Sequence, residues 1–273
     1  MKSFVSLVCA IEFIEDNLRY QITVTDVAEA SYISLSHLQA MFSRTLYISI
    51  GEYIAKRKLC IAARDLIHSD RRVTDIAFDF GYANVESFTR AFKKQFLCTP
   101  SAYRKLYHFS DLYPRLIISE KEGFDMTKKY DLSEISDKIL ASKGCYIIAA
   151  DIDHLLPINE KWGRGAGDMA IAQTAARIGD SIAPGMDYFR IGNDSFVVLT
   201  GSHDVAVAED VARKIIAHAD DEVHFGDVTF TFTISMGIVK IPLDIKDAKQ
   251  SIDRSDAAMM AAKHEGRNCY KVM

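Results

Sequence analysis

The 273-residue sequence predicts two domains of different class, an all-α tandem helix-turn-helix domain followed by an α/β domain in which helices surround a sheet. Three observations carry this. The first hundred residues show repeated helical periodicity and almost no strand pattern. Within them the pentad Val-Thr-Asp-aliphatic-Ala occurs twice, at 24–28 and 73–77. From Cys145 onward, apolar runs of strand length alternate with helical patterns.

Charge divides at the same place. Through Lys105 there are 14 Lys and Arg against 11 Asp and Glu, a net +3, and the remainder carries −7. Only the front half is therefore suited to a polyanion such as double-stranded DNA. No apolar run reaches the roughly 18 residues that span a bilayer, so no membrane partner is expected. The apolar residues near the N-terminus continue with helical spacing through Ile11, Phe13 and Ile14, which reads as a core face and not as a signal peptide. Cys9, Cys60, Cys98, Cys145 and Cys269 are scattered and lack CxxC spacing, which points to free thiols and a cytoplasmic location.

In the front half, residues 4–18 form an amphipathic helix and 24–30 a second, with Thr25 as its N-cap. After a turn at 32–34, Leu38, Met41 and Phe42 share an inward face that leaves Ser36, His37, Gln39, Ala40, Ser43 and Arg44 outside. A long helix at 50–67 leads to the second copy. There Phe88 and Phe92 face inward, and Glu86, Ser87, Thr89, Arg90, Lys93 and Lys94 face out. A short helix, a tight turn and a second helix with a polar, basic outer face is the sequence form of a helix-turn-helix.

The residues that carry a resemblance are Asp26-Val27-Ala28, Ser36-His37-Leu38 with Phe42, Glu52-Tyr53-Ile54 with Arg57, Ile76-Ala77-Phe78-Asp79-Phe80-Gly81-Tyr82, Ser87 to Lys94, and Thr99-Pro100-Ser101-Ala102-Tyr103-Arg104. This stretch resembles the tandem helix-turn-helix domain of the AraC/XylS transcription regulators, whose two recognition helices enter consecutive major grooves. The resemblance implies that Ser36, Gln39 and Ala40, and in the second unit Val85, Glu86, Thr89 and Arg90, lie where bases are read. It leaves Arg44, Lys93 and Lys94 to phosphates, with His37 and Ser87 on the same surface. Tyr47 and Leu97 stand where the family has Gly after each recognition helix, a substitution that costs about 1 kcal/mol at a left-handed cap.

Residues 109–129 read as a linker between a DNA-binding domain at 1–108 and a second domain at 130–273. Helical spacing returns at 130–142. A strand at 146–150 follows, then a helix at 167–182, a hairpin at 188–199, a helix at 205–219, one strand at 228–239 and a helix at 248–265. The hairpin turn Gly192-Asn193-Asp194 is suited to positive φ, and its carboxylate is suited either to a phosphate-bound metal or to a plain turn. Asp151 and Asp153, two apart at a strand end, are a place where a cation can be held.

Asp151-x-Asp153, Asn159, Gly163, Gly167-Asp168, Arg190 to Phe196, Ser235-Met236-Gly237, Asp256-Ala257-Ala258 with Ala262-Lys263, and Gly266-Arg267-Asn268 together resemble the GGDEF domain of diguanylate cyclases. The resemblance implies that Asn159 and Asp168 read guanine and that Gly192, Asn193, Lys263 and Arg267 hold the nucleotide. It makes Asp151, with Asp194, the ligands of a Mg²⁺ that accompanies the nucleotide. The hairpin departs from the family: it reads Gly-Asn-Asp-Ser-Phe, with Asn193 for the second Gly and Ser195 for Glu. Loss of a hard anionic ligand at 195 marks the domain as a degenerate copy, in which Asp194 and Ser195 are vestigial and no catalytic residue is expected. The expected function is a cytoplasmic, homodimeric, DNA-binding transcription regulator whose back half senses a guanine nucleotide or mediates dimerisation. An active cyclase making cyclic di-GMP and a nucleotide-free dimerisation scaffold are the alternatives.

Overall fold

In the computed structural model, which describes residues 2–106, 111–120 and 126–273, the chain forms two compact units. The first runs to Lys105 and includes Tyr113–Asp131, and the second comprises Leu106–Leu112 and Leu132–Met273. No described helix is long and apolar enough to cross a membrane.

The first unit holds α1 (Lys2–Asp16), α2 (Val24–Ala30), α3 (Leu35–Met41), α4 (Ile50–His68), α5 (Val73–Asp79), α6 (Val85–Phe96) and α7 (Pro100–Tyr103). The starts of α2, α3, α4, α6 and α7 have a local cause. Thr23, not Thr25, caps α2: its side chain accepts from the Asp26 amide while the Asp26 carboxylate accepts from the Thr23 amide, a reciprocal arrangement that Thr25, already the second residue of the helix, does not make. Ser34, Ser49, Asn84 and Thr99 cap α3, α4, α6 and α7 in the same way from one side. Helix α3 continues into a π-helical turn, Phe42–Leu46, that ends on Tyr47 at φ 57°, and α6 ends on Leu97 at φ 62°. The glycine-like caps thus persist without glycine.

Two cores support α3 and α6. Leu7, Ile11, Ile14, Val27, Leu38, Phe42 and Ile50 bury the inner face of α3. Around α6, Phe88, Phe92, Phe96 and Tyr103 form a chain of ring contacts with centroids 4.5 to 5.6 Å apart. The residues predicted as a linker behave differently. Those at 109–110 and 121–125 lie outside the described residues, but β1 (Leu116–Glu120) and β2 (Met126–Tyr130) pair antiparallel, and Leu116 and Ile118 are buried in the α1–α3 core. Five residues of Leu-Ile-Ile type are too short a pattern to separate strand from buried helix, and the docking surface that decides it lies a hundred residues upstream.

In the second unit, α8 (Ser133–Ala141) precedes a five-stranded sheet of order β4-β5-β3-β8-β9. Its strands are β3 (Tyr146–Ile152), β4 (Asp187–Arg190), β5 (Ser195–Leu199), β8 (Ile234–Lys240) and β9 (Tyr270–Val272). β3 lies centrally and pairs antiparallel with β5 and β8, and β9 joins β8 in parallel. The helices are α9 (Leu155–Trp162), α10 (Arg164–Ser181), α11 (Val205–Ile216) and α12 (Ala248–His264). The single strand expected at 228–239 is two: β7 (Val228–Phe230) turns back on β6 (Val223–Phe225), and β8 starts afresh at Ile234. The change of partner at Thr231–Thr233 has no mark in a continuous β-branched run.

Candidate functional sites

On the first unit, the outer faces of α3 and α6 carry the predicted DNA residues. Ser36, His37, Gln39 and Arg44 are exposed and Ala40 half-buried, and on α6 Glu86, Arg90, Lys93 and Lys94 are exposed while Val85, Ser87 and Thr89 are half-buried. Val85, Glu86, Thr89, Arg90, Lys93 and Lys94 line one shallow surface depression. Three of those six are cationic, which suits a phosphate wall. Ser87 is partly committed to the fold, since its amide donates to Asn84 Oδ1 and its hydroxyl to the Asn84 carbonyl.

On the second unit, the sheet brings Asp151 of β3 opposite Ser195 of β5 and Ser235 of β8. Asp151 is buried, and each of its carboxylate oxygens has a partner. Its Oδ2 accepts from the Ser195 hydroxyl at 2.6 Å, and its Oδ1 pairs with the Lys263 ammonium from α12. Asp153 is buried more deeply and serves the fold. Thr233 Oγ1 donates to it at 2.7 Å, Ser235 Oγ at 2.8 Å and the Asn268 amide at 3.3 Å, with Arg267 Nε 3.9 Å away. The two carboxylates read as one cation site therefore separate into one partner of the hairpin and one anchor of the α12–β9 turn.

The hairpin tip corrects a second expectation. None of Gly192, Asn193 and Asp194 has positive φ. The turn is closed instead by the buried Arg190 guanidinium, whose Nε donates to the Gly192 carbonyl at 2.9 Å, Nη2 to the Asn193 carbonyl at 2.7 Å and Nη1 to the Leu112 carbonyl at 2.9 Å. The guanidinium thus satisfies the Gly192 and Asn193 carbonyls of a turn that contains no left-handed residue. Burial and the neighbouring Asp151 charge push the Asp194 carboxyl above its ordinary value, against the pull of Lys263. Asn193 points to solvent.

Asn159 lies in α9 against Gly167 of α10. A β-carbon at Gly167 would stand 2.0 Å from Asn159 Oδ1, so this approach exists only because residue 167 is glycine. Asp168 follows it on the first turns of α10. Asp256, within the quoted motif but not among the predicted site residues, is half-buried in α12, and its Oδ1 has no hydrogen-bond partner. Burial, then the charges of Asp253 and Asp151, raise its carboxyl to about 6. Because the native state binds the proton more tightly than the unfolded chain, Asp256 costs stability as pH rises from about 4 through 6. In metal-free protein, Asp256→Asn should raise the unfolding free energy by about 1–2 kcal/mol at pH 7.5, after allowance for solvent screening, and leave it unchanged at pH 3.5. Urea titrations at the two pH values check this.

Among the described residues, no three His, Cys, Asp or Glu side chains converge on one point as a metal cage. The donor set nonetheless fits Mg²⁺, which takes one or two carboxylates and completes its shell with substrate phosphates. Asp151 and Asp194 are hard oxygen donors whose mutual repulsion a cation relieves.

Two recognition helices on one unit, and a hairpin, a buried Asp and a Lys gathered at a sheet end on the other, define a helix-turn-helix regulator joined to a nucleotide-cyclase type of domain. Comparison with known proteins agrees. A helix-turn-helix domain model matches residues 27–106, and the diguanylate cyclase GGDEF domain model matches 130–269. The regulatory protein SoxS of Salmonella typhimurium is 38% identical over 94 residues, 34% of this chain and 88% of SoxS. The HTH-type transcriptional regulator YkgA of Escherichia coli is 32% identical over 143 residues, 47% of this chain and 59% of YkgA, so less than two thirds of that relative is spanned. Among solved structures, an EAL/GGDEF domain protein from M. capsulatus is 30% identical with a TM-score of 0.45, covering 50% of this chain and 91% of its own. The GGDEF domain of DgcB from Caulobacter crescentus, solved with c-di-GMP, is 25% identical with a TM-score of 0.46, covering 52% and 87%. The chain belongs to the AraC-type helix-turn-helix regulators through its front half and to the GGDEF-domain family through its back half.

Proposed function

We propose that this protein is a sequence-specific DNA-binding transcription regulator whose GGDEF domain binds a guanine nucleotide as a signal and does not turn it over. The observation that carries the second clause is Ser195. Where a metal-binding carboxylate would stand there is a neutral hydroxyl, and it is spent on Asp151, whose other oxygen pairs with Lys263. Asn159, Asp168, Lys263 and Arg267 keep the residue types that recognise guanine and phosphate. Asp151 and Asp194 are the residues that would hold Mg²⁺, which would neutralise charge on the bound phosphates.

Calorimetry with GTP, with and without Mg²⁺, tests the reading. Binding is expected in both conditions, and Asn159→Ala or Asp168→Ala should weaken it about 10–100-fold, the worth of a hydrogen bond to a charged or fully desolvated partner. Formation of cyclic di-GMP from GTP, abolished by Asp194→Ala, would sink it. For the front half, Arg90→Ala should cost about 1–3 kcal/mol on a selected duplex and relax the sequence preference at one base pair. Lys93→Ala should weaken all duplexes alike and lower the salt slope by about 1. A random-pool selection that enriches no sequence would remove the DNA-binding clause.

A further inference from the structure

The chain passes from the second unit to the first between Leu112 and Tyr113, and each side of that peptide bond is held from within its own unit. On the second unit, Nη1 of Arg190 donates to the Leu112 carbonyl at 2.9 Å, while the same guanidinium closes the hairpin tip through Gly192 and Asn193. On the first unit, Nη1 of Arg57 donates to the Tyr113 carbonyl at 2.7 Å and Lys56 Nζ lies 4.4 Å from the centre of the Tyr113 ring. Tyr53 Oη accepts from the Leu116 amide at 3.3 Å. Tyr53, Lys56 and Arg57 are three and four residues apart, so they share one face of α4, the helix between the two helix-turn-helix halves.

Between the two grips there is no spare length. Adjacent α-carbons stand about 3.8 Å apart across a trans peptide. Pro114 fixes its own φ and biases Tyr113 toward extended backbone, which stiffens the exit. Both guanidinium groups belong to buried residues, Arg190 at 5% and Arg57 at 4% exposure. A carbonyl that lost its guanidinium there would be left unpaired away from water, so the connector is drawn along when either arginine shifts. The hairpin tip is also where the nucleotide is proposed to bind. A phosphate competes with neutral carbonyls for Arg190, because charge-assisted hydrogen bonds are the stronger kind.

We infer that a change at the hairpin tip is passed to α4, and so to the two recognition helices, through the chain of bonds Arg190, Leu112, Tyr113, Arg57. The inference rests on the nucleotide-binding and DNA-binding readings above. It makes the effect of a guanine nucleotide on DNA affinity a property of the connector's length, since slack between Leu112 and Tyr113 would absorb the movement with both grips intact.

The test uses the full chain, GTP with Mg²⁺, and a duplex that the wild type selects from a random-sequence pool. DNA affinity is read by fluorescence anisotropy with and without saturating GTP, and GTP affinity by calorimetry with and without the duplex. In the wild type each ligand should shift the other's affinity about fivefold or more, by the same factor in both directions because linkage is reciprocal. Insertion of Gly-Ser-Gly-Ser between Leu112 and Tyr113 should leave each separate affinity at the wild-type value and abolish both shifts. Arg190→Lys, which keeps the charge and gives up the fork, should shrink them, and it decides the matter if the inserted chain does not fold. A ligand-free arm follows hydrogen exchange at the Leu116 amide, which Arg190→Lys should speed about fivefold with the native connector and leave unchanged in the insertion background. Shifts that survive the insertion overturn the inference, as do GTP and DNA that both bind the wild type without affecting each other. If GTP does not bind, or no duplex is selected, the corresponding reading above falls. The exchange arm then decides the inference by itself, and equal rates in wild type and Arg190→Lys overturn it.

Discussion

Gly237→Ala should prevent the second unit from packing and, with it, abolish the guanine-nucleotide binding proposed above. A β-carbon at 237 would stand 2.2 Å from both the Met259 amide nitrogen and the Ser255 carbonyl oxygen, and 2.8 Å from the Ala258 carbonyl carbon. All three are backbone atoms of α12, so no side-chain rotation relieves the clash and the helix must move off β8. Overpacking costs about 1–3 kcal/mol where neighbours can adjust, and more where they cannot. Here about 4 kcal/mol or more is expected. The same movement would draw Lys263 away from Asp151 and loosen the Asn268 amide from Asp153, which ties the stability loss to the site. Trp162 is the only tryptophan and stacks on Phe230 at 5.0 Å, so its fluorescence in urea reports this unit. Gly51→Ala, in α4 with nothing within 4 Å, is the control and should be neutral or stabilising by about 0.5–1 kcal/mol.

Glu15→Ala should destabilise the first unit by about 3–5 kcal/mol, the cost of stranding a buried charge. The Arg57 guanidinium donates to Glu15 through Nε and Nη2, each at 2.8 Å, and the two side chains are 5% and 8% exposed. Tyr53 Oη also donates to Glu15, at 2.7 Å, and receives the Leu116 amide, while Arg57 Nη1 donates to the Tyr113 carbonyl. Burial first, then the Glu15 charge, push the Tyr53 phenol well above its ordinary value, so it remains a donor throughout the working pH range. Loss of the carboxylate therefore frees more than one ion pair: it loosens the hold of α4 on β1. Hydrogen exchange at the Leu116 amide should rise along with the global loss seen by helical circular dichroism. Two comparisons bound the effect. Glu52→Ala, at the part-exposed i,i+4 pair with Lys56, should cost under about 0.5 kcal/mol, and the double change Glu15→Leu with Arg57→Met should recover most of the loss.

How far each feature could be read depends on the range of the interaction behind it. The recognition helices were legible because Leu38, Met41 and Phe42, and likewise Phe88 and Phe92, repeat at the spacing that one buried face requires. The β4–β5 hairpin was legible from its apolar flanks, but its backbone was not. Arg190 closes the turn through three carbonyls, one of them at Leu112, and nothing in the five residues of the tip announces that. Asp153 and Asp256 show the same divide. As sequence, both are carboxylates within motifs. Thr233, Ser235 and the Asn268 amide give Asp153 a complete set of partners, and burial leaves Asp256 Oδ1 with none.

By itself the sequence determined the two-domain order, the class of each domain, the tandem recognition helices and the residue types kept and lost at the hairpin. Periodicity, capping residues and residue chemistry are local and need no knowledge of partners. Only the tertiary structure decided that β1 and β2 belong to the DNA-binding unit, that Asp151 is divided between Ser195 and Lys263, and that Asp153 is an anchor of the fold. Each of those outcomes turns on groups from 40 to more than 100 residues apart in the chain meeting in a buried place, where a polar group must find a partner or shift its protonation.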